Sequence, residues 1–266
     1  MSDLLFSSKR KPDVDGSVLG ITPRSAGWEY VGFEVLRLAD GRIVERRANG
    51  VEVCLVLLSG YCTVSTEHDE WRGIGERDGV FEGAPYAVYL PPSTHYRIEA
   101  VTYLELAVAS APAQHGAEPL LIRPEDIEVE VRGKGNMERE IRPILMEDRP
   151  AERLLVVEVI TPNGHWSSYP PHKHDEEDPP NERYLEETYY HRIQPVQGFS
   201  VQRVYTEDRS LDETLTFQDG DVVLVPKGYH VVSAPPGYDL YYLNVMAGPV
   251  REWRIKNDPD HEWLLE

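Results

Sequence analysis

Residues 87–98, AVYLPPSTHYRI, and residues 221–232, DVVLVPKGYHVV, follow one pattern: an apolar β-rich run, a proline, a short turn and a histidine. The proline cannot donate to a strand ladder, so it closes the run, and the turn residues after it reverse the chain. Pro91 and Pro226 stand 135 residues apart, as do His95 and His230. The same offset joins Glu52 to Glu187, each 43 residues before its histidine. Each Glu is followed by an apolar or aromatic run and then a glycine, Gly60 or Gly198. Self-similarity at a fixed offset reads as a duplicated unit.

Outside these anchors the chain continues in short β-rich runs. The clearest are VEVCLVLLSGYCTV from Val51, YLELAVA from Tyr103, RLLVVEVI from Arg153, TYYHRI from Thr188, FSVQRVY from Phe199 and LYYLNVMA from Leu240. Long helical patterns are scarce, with a short helix expected only near Pro124–Val131 and in the last dozen residues. With 20 Gly and 21 Pro to turn the strands, the expectation is an all-β chain of two β-barrels. The first is placed at residues 1–111 and the second at 137–266, with 112–136 as a linker.

Composition narrows the function. The 266 residues carry 27 Lys+Arg against 46 Asp+Glu, a net charge of −19, so phosphate backbones and anionic membranes are repelled. A 41% apolar content with mean hydropathy −0.45 fits a globular chain. No apolar run approaches the ~20 residues that span a bilayer. The N-terminal MSDLLFSSKRKPDVDGS has its basic residues after the apolar patch, the reverse of a secretory signal. Cys54 and Cys62 are the only cysteines, which points to a reducing, cytoplasmic setting.

Chemistry concentrates in the second half. His172 and His174 are separated by one residue, and in an extended strand alternation puts both imidazoles on one face. Pro170 and Pro171 stiffen the approach. A carboxylate and His230 from neighbouring strands would complete three nitrogens and one oxygen around a divalent ion with positions left open. Such a set accepts zinc or manganese, and also iron or nickel. Glu186 and Glu187 compete for the carboxylate role. The 43-residue spacing to His230 favours Glu187 and would turn Glu186 outward.

Gly164, His172-x-His174, Glu187 and Gly198, followed by Gly220, Pro226, Gly228 and His230, resemble the two motifs of the cupin superfamily, with a long insertion between His174 and Glu187. The stretches SSYPPHKHD, LEETYY, GFSVQRVYTEDRSLDET, DVVLVPKGYH and GYDLYYLNVMAGP are similar to the 5-deoxy-glucuronate isomerase family of inositol catabolism. GKGNMEREI and VFEGAPYAVYLPP carry that likeness through the linker and first half. The resemblance implies two tandem jelly-roll cupin domains. It also implies an aldose–ketose isomerisation of 5-deoxy-D-glucuronate to 5-dehydro-2-deoxy-D-gluconate, through a metal-chelated O1 and O2 and a cis-enediolate. The first barrel departs from the motif, because no histidine occurs before His68. Glu52 and His95 alone are too few for a tight site, so that barrel is expected to be metal-free and structural.

Tyr189 and His191 share parity with Glu187 and are candidate acid–base groups, with Tyr242 behind them. The substrate carboxylate calls for an arginine: Arg203 first, on a barrel strand, then Arg139 and Arg142 from the linker's end. Lys173 alternates away from the metal, and Asp175–Asp178 reads as a solvated loop. Another uronate isomerase or a cupin oxygenase would use the same ligands. A non-enzymatic sugar-binding cupin would not need them. The expected partner is a small sugar acid, not nucleic acid or membrane, and an edge of the metal-free barrel could serve a homo-oligomer.

Overall fold

The computed structural model describes residues 3–9 and 11–265; Met1, Ser2, Arg10 and Glu266 lie outside it, Arg10 being part of the basic N-terminal stretch. Each sequence run rich in Val, Ile, Leu and Tyr became a strand, and glycines at positive φ turn many of the connections. The helical content is small: a capped turn at Pro23–Ala26 and 3-10 turns at Pro124–Asp126, Gly135–Met137 and Glu262–Leu265. Two of these fall where short helices were expected. No helix among the described residues is long and apolar enough to cross a membrane.

Two compact units result, and they interleave along the chain. One comprises residues 8–128 and 143–156; the other comprises 1–7, 129–142 and 157–266. The supposed linker is therefore not a separate segment. Its first part gives the strand Leu120–Ile122, which pairs with Ala87–Leu90 in the first unit. Its later part gives Glu130–Arg132, which pairs with Arg139–Leu145 in the second sheet system. The N-terminal residues Leu5–Phe6 pair with Val222–Val225, far away in sequence. Unpaired strand edges are a liability, and these short segments cover them.

The first unit has a six-stranded sheet, ordered Leu120–Ile122, Ala87–Leu90, Val51–Ser59, Leu104–Pro112, Gly32–Leu38 and Ser17–Ile21. It faces a four-stranded sheet of Ile43–Arg47, His95–Ala100, Cys62–Ser65 and Glu70–Ile74. Between them lies an apolar core that includes Leu36, Val53, Leu55, Leu57, Ile98 and Leu106. In the second unit the corresponding sheet has seven strands, with Glu186–Gln194 between Val222–Val225 and Asp239–Ala247. Its partner sheet has five, ordered Asp212–Gln218, Phe199–Tyr205, Tyr229–Ser233, Trp166–Lys173 and Lys256–Asn257.

The duplication is visible in the strands. Their starts at 51, 87 and 104 recur at 186, 222 and 239, each time 135 residues on. Yet the two glutamates joined by that offset face opposite ways. In the first unit the core contains Val53, Leu55 and Leu57, so Glu52 points off the other face of its sheet. There it is fully buried, accepting hydrogen bonds from Tyr89 OH and from the backbone N–H groups of Glu152, Arg153 and Leu154. His95 is exposed on the four-stranded sheet. Because strand parity has period two, these two residues do not share an inner site.

Candidate active site

The strand Trp166–Lys173 carries the first histidine, His172, and the second, His174, follows directly after its end. His172 sits opposite His230 in the ladder with Tyr229–Ser233, and their ring centroids are 4.5 Å apart. Two residues on, His174 keeps the same parity, with its ring centroid 5.2 Å from that of His230. Glu187 comes from the facing sheet. Its Oε2 is 3.0 Å from Nε2 of His174 and 3.2 Å from Nε2 of His230. All four residues are buried, and ring nitrogens of the three histidines fall within 4.8 Å of one another.

These donors fit a divalent ion. The His230 Nε2 is buried and counts no hydrogen-bond partner, although the Glu187 oxygen lies 3.2 Å away. Burial, together with the neighbouring His230 and His174, holds His172 well below the ordinary histidine value, in the neutral form that ligates metal. Burial alone would raise Glu187, but the His174 and His230 imidazoles hold it down to about 2, an ionised carboxylate. His174 is buried too, yet Glu187 beside it raises its pKa. Its Nδ1 lies 3.0 Å from the Leu185 carbonyl, which orients the ring and frees Nε2 as the ligand atom. Glu186, one residue away, is buried on the opposite face of the strand.

Deeper on the same face lie the two tyrosines. Tyr189 is 5.6 Å from His230 and 5.0 Å from Tyr242 by ring centroids. Its hydroxyl pairs with Ser168 Oγ at 2.9 Å, while the Tyr242 hydroxyl pairs with Ser167 Oγ at 2.5 Å. Two consecutive serines reach one site because Ser168 adopts φ +51°, which breaks the alternation. The ladder register also slips between Ser167 and His172. Burial pushes both phenols up, so they stay protonated at neutral pH. His191 is reached by alternation but packs, stacked 3.7 Å from Phe217, with Nε2 3.0 Å from Gln202 Oε1. Burial pushes its pKa down to about 3, too weak for a base at neutral pH.

The arginines sort differently from the sequence expectation. Arg203 does not reach the site. Gln202 takes the inward position on its strand, and Arg203 faces out, paired through two nitrogens with Asp212 at 2.8 Å and lying over the Tyr205 ring. Arg142 is also engaged elsewhere: it is buried against Glu140 and Glu158, and Glu158 in turn accepts a hydrogen bond from Tyr241. A buried guanidinium with two carboxylates is a structural ion pair. Of the three, Arg139 is the one that holds no carboxylate, and Tyr242 and Tyr189 are among the groups that act on its charge.

Lys173 points away from the histidines, as alternation requires. It is buried, with Nζ 2.6 Å from Asp175 and 3.1 Å from Glu182. Asp175 also accepts the Gly228 N–H at 2.7 Å, so this insertion is tied down rather than simply solvated. Residues the sequence reading passed over are Ser167, Ser168, Asn244, Gln202 and Phe217. Ser-Ser just ahead of Pro-Pro was a visible signal for the first two; the others face inward by parity alone.

A duplicated antiparallel β-barrel with three buried histidines and a glutamate at one barrel's centre is a cupin-type protein. The chain matches the KduI/IolB family over residues 5–264 and belongs to it. It is 57% identical to the 5-deoxy-glucuronate isomerase of Geobacillus thermodenitrificans (strain NG80-2), covering 100% of this chain and 97% of that one. The enzyme of that name from Bacillus subtilis (strain 168) is 46% identical, with 92% of each chain covered. The crystal structure of an IolB-like protein from Salmonella typhimurium LT2 superposes with a TM-score of 0.97 at 47% identity over 100% of both chains. Bacillus subtilis oxalate decarboxylase shares the fold, with a TM-score of 0.67 at 14% identity over 97% of this chain and 80% of that one. This family member is an enzyme, an isomerase.

Proposed function

We propose that this chain converts 5-deoxy-D-glucuronate to 5-dehydro-2-deoxy-D-gluconate, with His172, His174, His230 and Glu187 holding a divalent metal. The observation that carries the reading is the convergence of three buried imidazoles on one ionised carboxylate. It is joined to 57% identity with a relative of that name. Zinc or manganese suits this donor set first, and iron or nickel also. When bound, such an ion supplies Lewis-acid polarisation to an α-hydroxy aldehyde.

The chain's own groups do the rest. In the reaction C1 gains a hydrogen and C2 loses one, so the aldehyde becomes an alcohol and the C2 alcohol a ketone. Charge develops on the two oxygens along the way. Tyr189, kept as a neutral phenol, donates toward those oxygens, and its serine partner Ser168 aims the hydroxyl. The apolar walls of the barrel exclude water and strengthen these contacts. The first unit is read as structural, since Glu52 is fully engaged by backbone donors.

The test is proton NMR of the metal-loaded protein with 5-deoxy-D-glucuronate in D2O. Ketose formation with deuterium entering at C1 is the expected outcome for an exchangeable proton shuttle, and formation without deuterium indicates a hydride shift or a proton relay shielded from solvent. A fully loaded protein that leaves the aldose unchanged overturns the reading.

A further inference from the structure

In a chain of net charge −19, arginines find carboxylates readily. In the second unit Arg132, Arg142, Arg183, Arg192 and Arg203 each hold at least one. Arg139 is different. It is half-buried, and the one hydrogen-bond partner of its guanidinium among the described residues is the Met137 carbonyl, 3.1 Å from Nη1. No carboxylate there lies within ion-pair distance of it. A partly desolvated guanidinium without a counter-charge is costly, and burial lowers its pKa from the usual arginine value.

The loop that carries Arg139 is fixed in place. The Gly135–Met137 turn packs against the Trp166–Lys173 strand that bears His172. His165 Nδ1 lies 2.8 Å from the Glu138 carbonyl and pins the residue before Arg139. Gly133, at φ +87°, leaves space for the side chain itself. A Cβ there would fall 2.1 Å from the Met137 carbonyl oxygen and 2.9 Å from Nη1 of Arg139. Tyr189 stands between the two ends of the site, 5.6 Å from the His230 ring and 5.0 Å from the Tyr242 ring.

We propose that Arg139, with the Tyr242 and Ser167 hydroxyls, forms the anion subsite of this active site and binds the carboxylate of a short sugar acid. The other end of that acid reaches the histidines across Tyr189. The identity of the acid rests on the isomerase reading; the preference for an anion does not.

The experiment uses the full-length, metal-loaded protein and its Arg139→Gln and Arg139→Lys variants. Calorimetric binding of D-glucuronate is compared with that of D-glucose, which lacks the carboxylate, and KM and kcat are measured on 5-deoxy-D-glucuronate. The wild type is expected to prefer glucuronate and Arg139→Gln to lose that preference. KM should rise about 30-fold, which is about 2 kcal/mol, with bound metal unchanged and kcat altered much less. Arg139→Lys should recover part of the loss. Gly133→Ala, whose Cβ would force the Met137 carbonyl and the Arg139 guanidinium to shift, should move KM in the same direction.

A folded, metal-loaded Arg139→Gln with wild-type glucuronate affinity and wild-type KM overturns the subsite. Where neither sugar binds measurably, the KM of Arg139→Gln decides; absence of both binding and turnover in the wild type overturns subsite and isomerase together. Arg139-dependent glucuronate binding without conversion of 5-deoxy-D-glucuronate would remove the isomerase reading and keep the subsite.

Discussion

His191 shows what burial does to a side chain that the strand pattern makes a catalytic candidate. Its ring is stacked on Phe217, and its pKa is pushed down to about 3. The folded state therefore resists protonation, while the unfolded chain takes up a proton near the ordinary histidine value of 6.5. Below that pH the unfolded state binds more protons, so stability is full above about 6.5 and is lost as pH falls toward about 3. At about 1.4 kcal/mol per unit the effect amounts to a few kcal/mol. His191→Gln should flatten the decline between pH 6.5 and 4 in thermal unfolding of the metal-free protein; an unchanged slope would mean that other groups govern it. The proposed metal ligands behave otherwise. His174→Ala should remove the metal, read by elemental analysis, whereas Tyr189→Phe should keep it and lower kcat by about 10- to 100-fold.

Among the elements, the Trp166–Lys173 strand carries the most. Its inner face presents His172, its bulged start presents Ser167 and Ser168, and its outer face buries Lys173 between Asp175 and Glu182. Asp175 in turn holds the Gly228 N–H, two residues before His230. The ion cluster thus ties the segment of two ligands to the loop of a third. Lys173→Met should leave the buried Glu182 and the half-buried Asp175 carboxylates without their cation and weaken metal affinity by about 10- to 100-fold, the usual effect of losing an orienting partner. A metal titration against a chelator checks this, and an unchanged affinity in a folded variant would limit the cluster to stability. Gly228 is constrained as well: at φ +87°, a Cβ would lie 2.4 Å from the Tyr205 carbonyl oxygen. Gly228→Ala should therefore displace the turn that positions His230.

For the molecule as a whole, a charge of −19 repels an anionic substrate before it reaches the barrel. Raising ionic strength from low to moderate should increase kcat/KM on a sugar acid by about twofold, because the diffuse repulsion is screened before a half-buried guanidinium is. A steady fall with salt would mean that the field near the entrance is positive. Metal and folding are linked in the same way. At about 100 times its Kd, an ion bound only by the folded state adds about 2.7 kcal/mol, which calorimetry would read as a Tm higher by several degrees.

Much of this was written in the sequence, because it depends on local rules. Apolar runs with period-two alternation fix the strands, glycines and prolines fix their ends, and the 135-residue repeat recurs in the strand starts at 51 and 186. The His172, His174, Glu187 and His230 set was legible because strand parity and motif spacing survive folding. Parity also explains the misses. Arg203 lost the inward position to its neighbour Gln202, and Glu52 faces outward although its repeat partner Glu187 faces in. A one-residue change of register reverses every side chain of a strand, and sequence similarity does not record it. Only tertiary structure decides which arginines already have a carboxylate, which is why Arg142 and Arg139, three residues apart, came to such different surroundings.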